Sequence, residues 1–370
     1  MSEPTKIGSA GSMHTSSPTP EGDTQLPEMT PFEHDILEQP SALLRQVAYP
    51  LPAGIEELAS HDWDRVVITG MGSSHFAGFP TWRALTRLGR ATWSIDTSQL
   101  LDVPGLVTPN TLVIATSQSG ESAEIVEMLN RVDSSKVSMG ALIGLTDSST
   151  SSLGLASTVT VGLQSGPEAT VSTKSYLNSL AVHARLTAVF AGGNDERVLD
   201  ELQRAAAVVG SVIREVDLTA RAEEIVAEPA RRVVTIGKGN DGATSLYTAL
   251  IAKEASKIAV EGFVGGQFRH GPFELAGSGL TAVLFGLRSR GGAPTLNRLA
   301  SDLVATGSRV LVVGDVRVDG AETVWSPEST EFGEMVSDAV VAEKLAVALA
   351  RANGVSPGSF AFGSKITTAL

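Results

Sequence analysis

Val66-Val67-Ile68-Thr69-Gly70-Met71-Gly72-Ser73-Ser74 recurs in cadence as Val233-Val234-Thr235-Ile236-Gly237-Lys238-Gly239-Asn240-Asp241. In each copy a short apolar run stops at glycine and passes into a glycine-containing loop, which is how a buried parallel strand feeding a helix reads. The chain therefore reads as two copies of one α/β unit. Only the first copy has a hydroxyl-rich loop, so the two halves are expected to differ in function.

The pattern extends in both directions from these stretches. Apolar runs at 65–69, 111–116 and 141–145, each ending in Gly, Ser or Thr, alternate with helix-compatible segments, and a second series lies at 232–236, 281–287 and 308–313. A helical passage from about Glu196 to Ile225 separates the series, and a helix rich in Ala, Val and Leu from about Ser337 to Asn353 follows them. Strands alternating with helices predict two doubly wound parallel sheets, each a flavodoxin-like three-layer sandwich with helices on both faces. Residues 1–30, rich in Ser, Thr, Pro and Gly, read as a disordered leader. Order is expected to begin near Pro31-Phe32-Glu33, with Ile36, Leu37, Leu43, Leu44 and Val47 on helical segments interrupted at Pro40. The expected division is 31–212 for the first unit, 213–352 for the second and 353–370 for a C-terminal tail.

Composition narrows the function. A chain of 370 residues with 42% hydrophobic content suits two domains, each with its own core. It contains no cysteine, so disulfides, thiolate metal sites and cysteine nucleophiles are excluded. A net charge of -13, with no long Lys/Arg run, argues against nucleic acid or an anionic membrane as partner. No stretch approaches the ~20 apolar residues of a membrane span, and no secretory signal is visible, so a cytoplasmic protein is expected. An anionic small substrate remains open, because hydroxyls, backbone N–H groups and helix N-termini bind phosphate without a basic surface.

Ligands of open α/β sheets bind beyond the carboxyl ends of the strands. Two strand-end loops stand out there, Gly70-Met71-Gly72-Ser73-Ser74-His75 and Ser117-Gln118-Ser119-Gly120-Glu121-Ser122. Glycines allow close backbone approach, serines supply hydroxyls, and the following helices present unpaired N–H groups. Taken singly, each loop reads first as an ordinary turn with a helix cap. On neighbouring strands, the pair would form a neutral phosphate cradle. The third glycine of a dinucleotide fingerprint is missing, and no Walker-type Gly-Lys-Ser/Thr follows.

The second half offers different chemistry. Glu254 lies on a helix-like stretch beside Leu250, Ile251, Ile258 and Val260, where desolvation would raise its pKa as suits a proton-shuttling base. The alternative is a surface glutamate paired with Lys253 or Lys257. His270, between Arg269 and Gly271-Pro272, can exchange protons near neutrality. His183, on an apolar helical stretch, reads as a packed residue, and His75 as lining beside the phosphate loop.

Ser117-Gln118-Ser119-Gly120-Glu121-Ser122, Ser172-Thr173-Lys174, Lys253-Glu254 and His270-Gly271-Pro272 together resemble the sugar isomerase (SIS) domains in the isomerase half of glucosamine-6-phosphate synthase and its stand-alone relatives. Glu38-Gln39-Pro40 resembles the start of that module. The resemblance implies two SIS domains, usually in a homodimer. It implies phosphate binding by Ser73, Ser74, Ser117, Gln118, Ser119 and Ser122, proton transfer by Glu254, and ring opening assisted by His270, often supplied across the dimer. It also implies that Lys365, in the closing segment Gly363-Ser364-Lys365-Ile366-Thr367, meets the open-chain sugar carbonyl; the plainer reading of Lys365 is a solvated tail lysine. The chain departs from the synthase at Ile251, where that family has lysine, and at Gln267, where many relatives have glutamate; both changes are expected at the substrate's reacting end.

The expected activity is aldose–ketose isomerisation of a sugar 6-phosphate, in particular an amino sugar phosphate with release of ammonia. No cofactor or metal is expected, nor any glutamine-dependent amidotransfer, since no glutaminase domain or cysteine nucleophile is seen. Two alternatives stay open: a fructosamine 6-phosphate deglycase, and a non-catalytic sugar-phosphate sensor.

Overall fold

The computed structural model describes residues 28–134, 136–288 and 294–368. Most of the expected leader lies outside the described residues. Helix α1 (Pro31–Ala48) starts where order was expected, fixed by a capping box in which Thr30 and Glu33 bond each other's backbone N–H. It runs unbroken through Pro40, contrary to the expected interruption. A proline inside a helix costs about 3 kcal/mol. Here α1 buries Phe32, Ile36, Gln39, Leu43 and Gln46 along one face, and that packing outweighs the lost backbone bond.

The first sheet contains β1 (Arg65–Gly70), β2 (Thr92–Ser94), β3 (Thr111–Thr116), β4 (Ala141–Thr146) and β5 (Val159–Gly162), all parallel, in the order β2-β1-β3-β4-β5. Helix α2 (Ser73–Ala77) follows β1, and α3 (Ala123–Asp133) follows β3. Helices α4 (Lys174–Phe190) and α5 (Glu196–Glu215) lead out of the first sheet. The second sheet contains β6 (Arg232–Gly237), β7 (Val260–Val264), β8 (Leu280–Leu287), β9 (Arg309–Gly314) and β10 (Glu322–Trp325), in the order β10-β9-β8-β6-β7. Helix α6 (Asp241–Ser256) follows β6, and α7 (Glu331–Ala352) follows β10. Read from β7, the second sheet repeats the order of the first, with β1 and β6 in equivalent places. The doubly wound expectation and the repeat of residues 66–74 at 233–241 are both borne out.

The six strands legible in the sequence are the inner ones, β4 and β9 included. The other four, β2, β5, β7 and β10, form the sheet edges. Edge strands are half-exposed and mix polar with apolar residues, so no apolar run marks them. One consequence is a correction: Val260, read as part of the helix with Glu254, begins β7, because the helix ends at Ser256 and Lys257 turns the chain with φ 61°. The helical passage at 196–225 is two helices, α5 and one at Thr219–Ala227, and α7 begins at Glu331, capped by Thr330, ahead of the expected Ser337.

One core runs between the sheets. Leu43 of α1, Leu180 of α4, Val209 of α5, Tyr247 of α6 and Val340 of α7 belong to a single buried cluster, so the second half's helices pack directly on the first half's. The division expected at 212 and 213 falls within α5.

Candidate active site

β1 and β3 are hydrogen-bonded neighbours in register, with Gly70 opposite Thr116. The two serine loops therefore leave the sheet side by side, where the strand order reverses direction. Gly70 has to be glycine, because a Cβ there would sit 2.8 Å from the Thr116 carbonyl oxygen. Gly120, with φ 69°, turns the second loop, and a Cβ there would overlap Ser151.

A cavity of about 310 Å³ opens over these loops. Ser73, Ser74, Ser117, Gln118, Ser119 and Ser122 all line it. The Ser117 hydroxyl accepts from Gly120 N–H at 3.2 Å and lies 3.3 Å from the Ser122 hydroxyl, while Gln118 donates to Asp147 at 3.3 Å. The hydroxyls of Ser73 and Ser74 bond no described residue, which leaves both free for a ligand.

The second half supplies the opposite wall. Helix α6 crosses the first loop closely enough that a Cβ on Gly72 would touch Leu250, and one turn further along α6 brings Glu254 to the cavity. Glu254 is half-buried and forms no ion pair with a described residue. Lys257 instead donates to the carbonyls of Glu254 and Ser359, so the surface-pair alternative is not realised. Burial pushes the Glu254 carboxyl up to about 7, against the downward pull of Lys365, Lys257 and Lys253.

The C-terminal tail closes the cavity with Phe360 and Ser364 to Thr367. The Thr367 carbonyl accepts from Ala123 N–H at 3.0 Å, which occupies an otherwise free donor at the N-terminus of α3. Lys365 is not a solvated tail lysine. Its Nζ lies 2.6 Å from Oε2 of Glu168, a fully buried carboxylate that also accepts from the backbone and hydroxyl groups of Thr173 and Ser175. Glu168 was missed in the sequence. Its one signal is that it is the lone acid in a hydroxyl-rich stretch just before Ser172-Thr173-Lys174.

His270 is not brought to the cavity of its own chain. It is exposed, beyond edge strand β7, at the end of a short turn over Gln267–Arg269. The two departures are not in the cavity wall either: Ile251 is fully buried in the core, and Gln267 is exposed, accepting from Val264 N–H at 3.0 Å. The reason at Ile251 is helical geometry, since Leu250 and Glu254 share one face of α6 and Ile251 lies on the next. His75, expected as lining, is outside the wall; burial lowers its pKa, partly opposed by Asp96. His183 is a packed residue, buried with Nε2 3.1 Å from the Thr116 hydroxyl, and burial pushes its pKa down to about 3. Among the described residues, no His/Cys/Asp/Glu group can hold a metal ion, and no helix is long and apolar enough to cross a membrane.

Residues 61–188 match the SIS domain. A glutamine–fructose-6-phosphate aminotransferase of Methanocaldococcus jannaschii is 29% identical over 306 residues, which covers 80% of this chain and 27% of that protein. The chain thus spans about a quarter of that relative's length. Among solved structures, the C-terminal domain of glucosamine-fructose-6-phosphate aminotransferase from Francisella tularensis superposes with a TM-score of 0.78 at 18% identity, covering 89% of this chain and 98% of that one. Glucosamine-6-phosphate deaminase from Thermotoga maritima superposes with a TM-score of 0.70 at 22% identity, covering 91% and 99%. Residues 61–188 thus carry the match to the SIS domain, the second half repeats the strand order of the first, and the fold of the two α/β units together is similar to that of the aminotransferase C-terminal domain.

Proposed function

We propose that this protein is a phosphosugar isomerase whose substrate is a 6-phosphorylated amino sugar, deaminated as it isomerises. The observation that carries the reading is the meeting, in one cavity, of two serine loops from the first half with Glu254 from the second and Lys365 from the tail. Neutral hydroxyls and loop N–H groups suit a phosphate. A carboxyl with its pKa near 7 suits a proton shuttle at neutral pH.

In this reading the serines anchor the inert phosphate, and that fixes the sugar's far end beside Glu254. Once the ring is open, Glu254 takes the C2 proton, giving a C1–C2 enolamine. Return of the proton to C1 leaves a ketimine at C2, which water hydrolyses to the ketose phosphate and ammonia. With a 2-hydroxy sugar, the same two transfers interconvert aldose and ketose. His270 is assigned to ring opening in the cavity of a second copy, in a homodimer. A cytoplasmic location fits a charged substrate that does not cross membranes unaided.

The test is a panel of hexose, hexosamine and fructosamine 6-phosphates, with isomer, ammonia and free amine measured in D2O. Deuterium entering C1 together with ammonia from glucosamine 6-phosphate supports the proposal. Binding with no deuterium entry at C1 or C2 would make the protein a sensor, and amine release from fructosamine 6-phosphates alone would make it a deglycase.

A further inference from the structure

Glu343 lies on α7 with no exposed surface and no ion pair to a described residue, behind the wall of the cavity. Two groups contact it. Gln39 of α1 donates its amide to both carboxyl oxygens, at 2.7 and 2.8 Å, and the Tyr247 phenol of α6 lies 2.7 Å from Oε1. The same phenol lies 2.8 Å from the backbone carbonyl of Ser172, which lines the cavity.

A phenol has one hydrogen and here two oxygen neighbours. A carbonyl oxygen only accepts, so that hydrogen belongs to the Ser172 contact. The 2.7 Å contact with Glu343 then requires its hydrogen to come from the carboxyl group. A neutral acid satisfies both contacts. A carboxylate would draw the phenolic hydrogen to itself and leave the Ser172 carbonyl facing a bare oxygen in a buried site.

We propose that Glu343 is a positioning residue held as a neutral carboxylic acid, and that its ionisation releases the cavity wall at 168–173 through Tyr247 and Ser172. That wall holds the tail. It carries Glu168, which pairs with Lys365, and Thr170, whose hydroxyl donates to the Gly358 carbonyl. Of the groups facing Glu343, the contacts from Tyr247 and Gln39 favour the carboxylate, and the nearby negative charges favour the neutral acid. Asp35 of α1 and Glu168 of the wall add negative charge, although Lys174 pairs with Asp35 at 2.9 Å and Lys365 with Glu168; Tyr176 of α4 stacks on Tyr247 at 3.7 Å. Burial, the largest influence, pushes the carboxyl up to about 8 with help from Glu168 and Asp35 and against the downward pull of the Tyr247 and Gln39 contacts.

The functional consequence rests on the sugar-phosphate reading of the cavity, but the switch itself does not. Hydrogen exchange of the full chain, wild type beside E343Q and Y247F at pH 7 and pH 9, tests it. The E343Q amide cannot ionise; it donates to Tyr247 from the Oε1 position and keeps only the Gln39 contact at the Oε2 position. At pH 7 the wild type and E343Q should protect residues 168–173 and the tail equally. At pH 9 the wild type should exchange there about tenfold faster than E343Q, while Y247F should be fast at both values. Equal exchange of wild type and E343Q at pH 9 overturns the proposal. The KM for glucosamine 6-phosphate should follow the same pattern; if the exchange difference appears while glucosamine 6-phosphate binds at neither pH, the sugar-phosphate reading has failed and the switch stands.

Discussion

The ammonium of Lys365 and the carboxylate of Glu168 are 2.6 Å apart, and they join the C-terminal tail to a side chain with no solvent exposure. Burial alone would raise the Glu168 pKa. Lys365 and the donors on Ser175 outweigh it and hold the carboxyl below its usual range. The tail thus lies over the cavity through a charged contact and the Thr367 to Ala123 backbone bond.

Replacing Glu168 should therefore cost more than replacing Lys365. Glu168→Gln removes the lysine's partner and sets an amide against four donors, at a cost of about 3–5 kcal/mol. Lys365→Met leaves those donors on Glu168, so it should cost about 1–2 kcal/mol while freeing the tail. The sign with pH follows from the lowered pKa: this stabilisation is present above the unfolded value of 4.5 and is lost as pH falls below it. Urea unfolding at pH 7 and pH 4 should show the gap between wild type and Glu168→Gln narrowing at pH 4; an unchanged gap would mean that Glu168 is not ionised in the folded protein.

Glu254→Gln should lower kcat by about 10²–10⁴-fold and abolish deuterium entry at C1, with KM for the phosphosugar little changed. A base must be ionised to work, so wild-type activity should rise with pH through about 7. The raised pKa also makes the ionised form a burden on the fold. Stability contributed by the neutral form is lost as pH rises from 4.5 through about 7, so Glu254→Gln should melt above the wild type at pH 8 and with it at pH 4. Melting curves that coincide at pH 8 would argue against a desolvated Glu254.

How far the sequence carried these readings depended on burial. The inner strands were legible because both faces are covered and their residues run apolar, as in Val113-Ile114-Ala115. Thr92–Ser94 and Val260–Val264 were not, since half-exposed edges carry no such run. The serine loops of the cavity were legible as hydroxyl-rich turns attached to strand ends. Glu168 and Glu343 were not, because an acid's role there is set by partners far away in sequence, Lys365 in one case and Gln39 with Tyr247 in the other. Ile251 misled for a related reason: a comparison of residue types cannot say which side of α6 faces the cavity.

Ser73 and Ser74 offer the cleanest test of phosphate binding, since their hydroxyls bond no other described residue and their loss should not disturb the loop. Each alanine variant should raise KM for glucosamine 6-phosphate about tenfold, with kcat within about twofold and the melting temperature unchanged. Ser117→Ala should raise KM and also lower the melting temperature, because Ser117 accepts from Gly120 N–H. Unchanged KM in all three would place the phosphate elsewhere.

His270 lies exposed outside its own chain's cavity, so a catalytic role requires a second copy to bring it in. Take two variants, Glu254→Gln and His270→Ala, each expected to lose about 100-fold or more in kcat. Mixed and allowed to exchange subunits, they form about half hybrid dimers. In a hybrid, one cavity combines Glu254→Gln with the histidine lost from its partner, and the other combines intact Glu254 with intact His270. About a quarter of wild-type activity should then return. If His270 instead served its own chain, every cavity in the mixture would carry one lesion, and no activity would return on mixing.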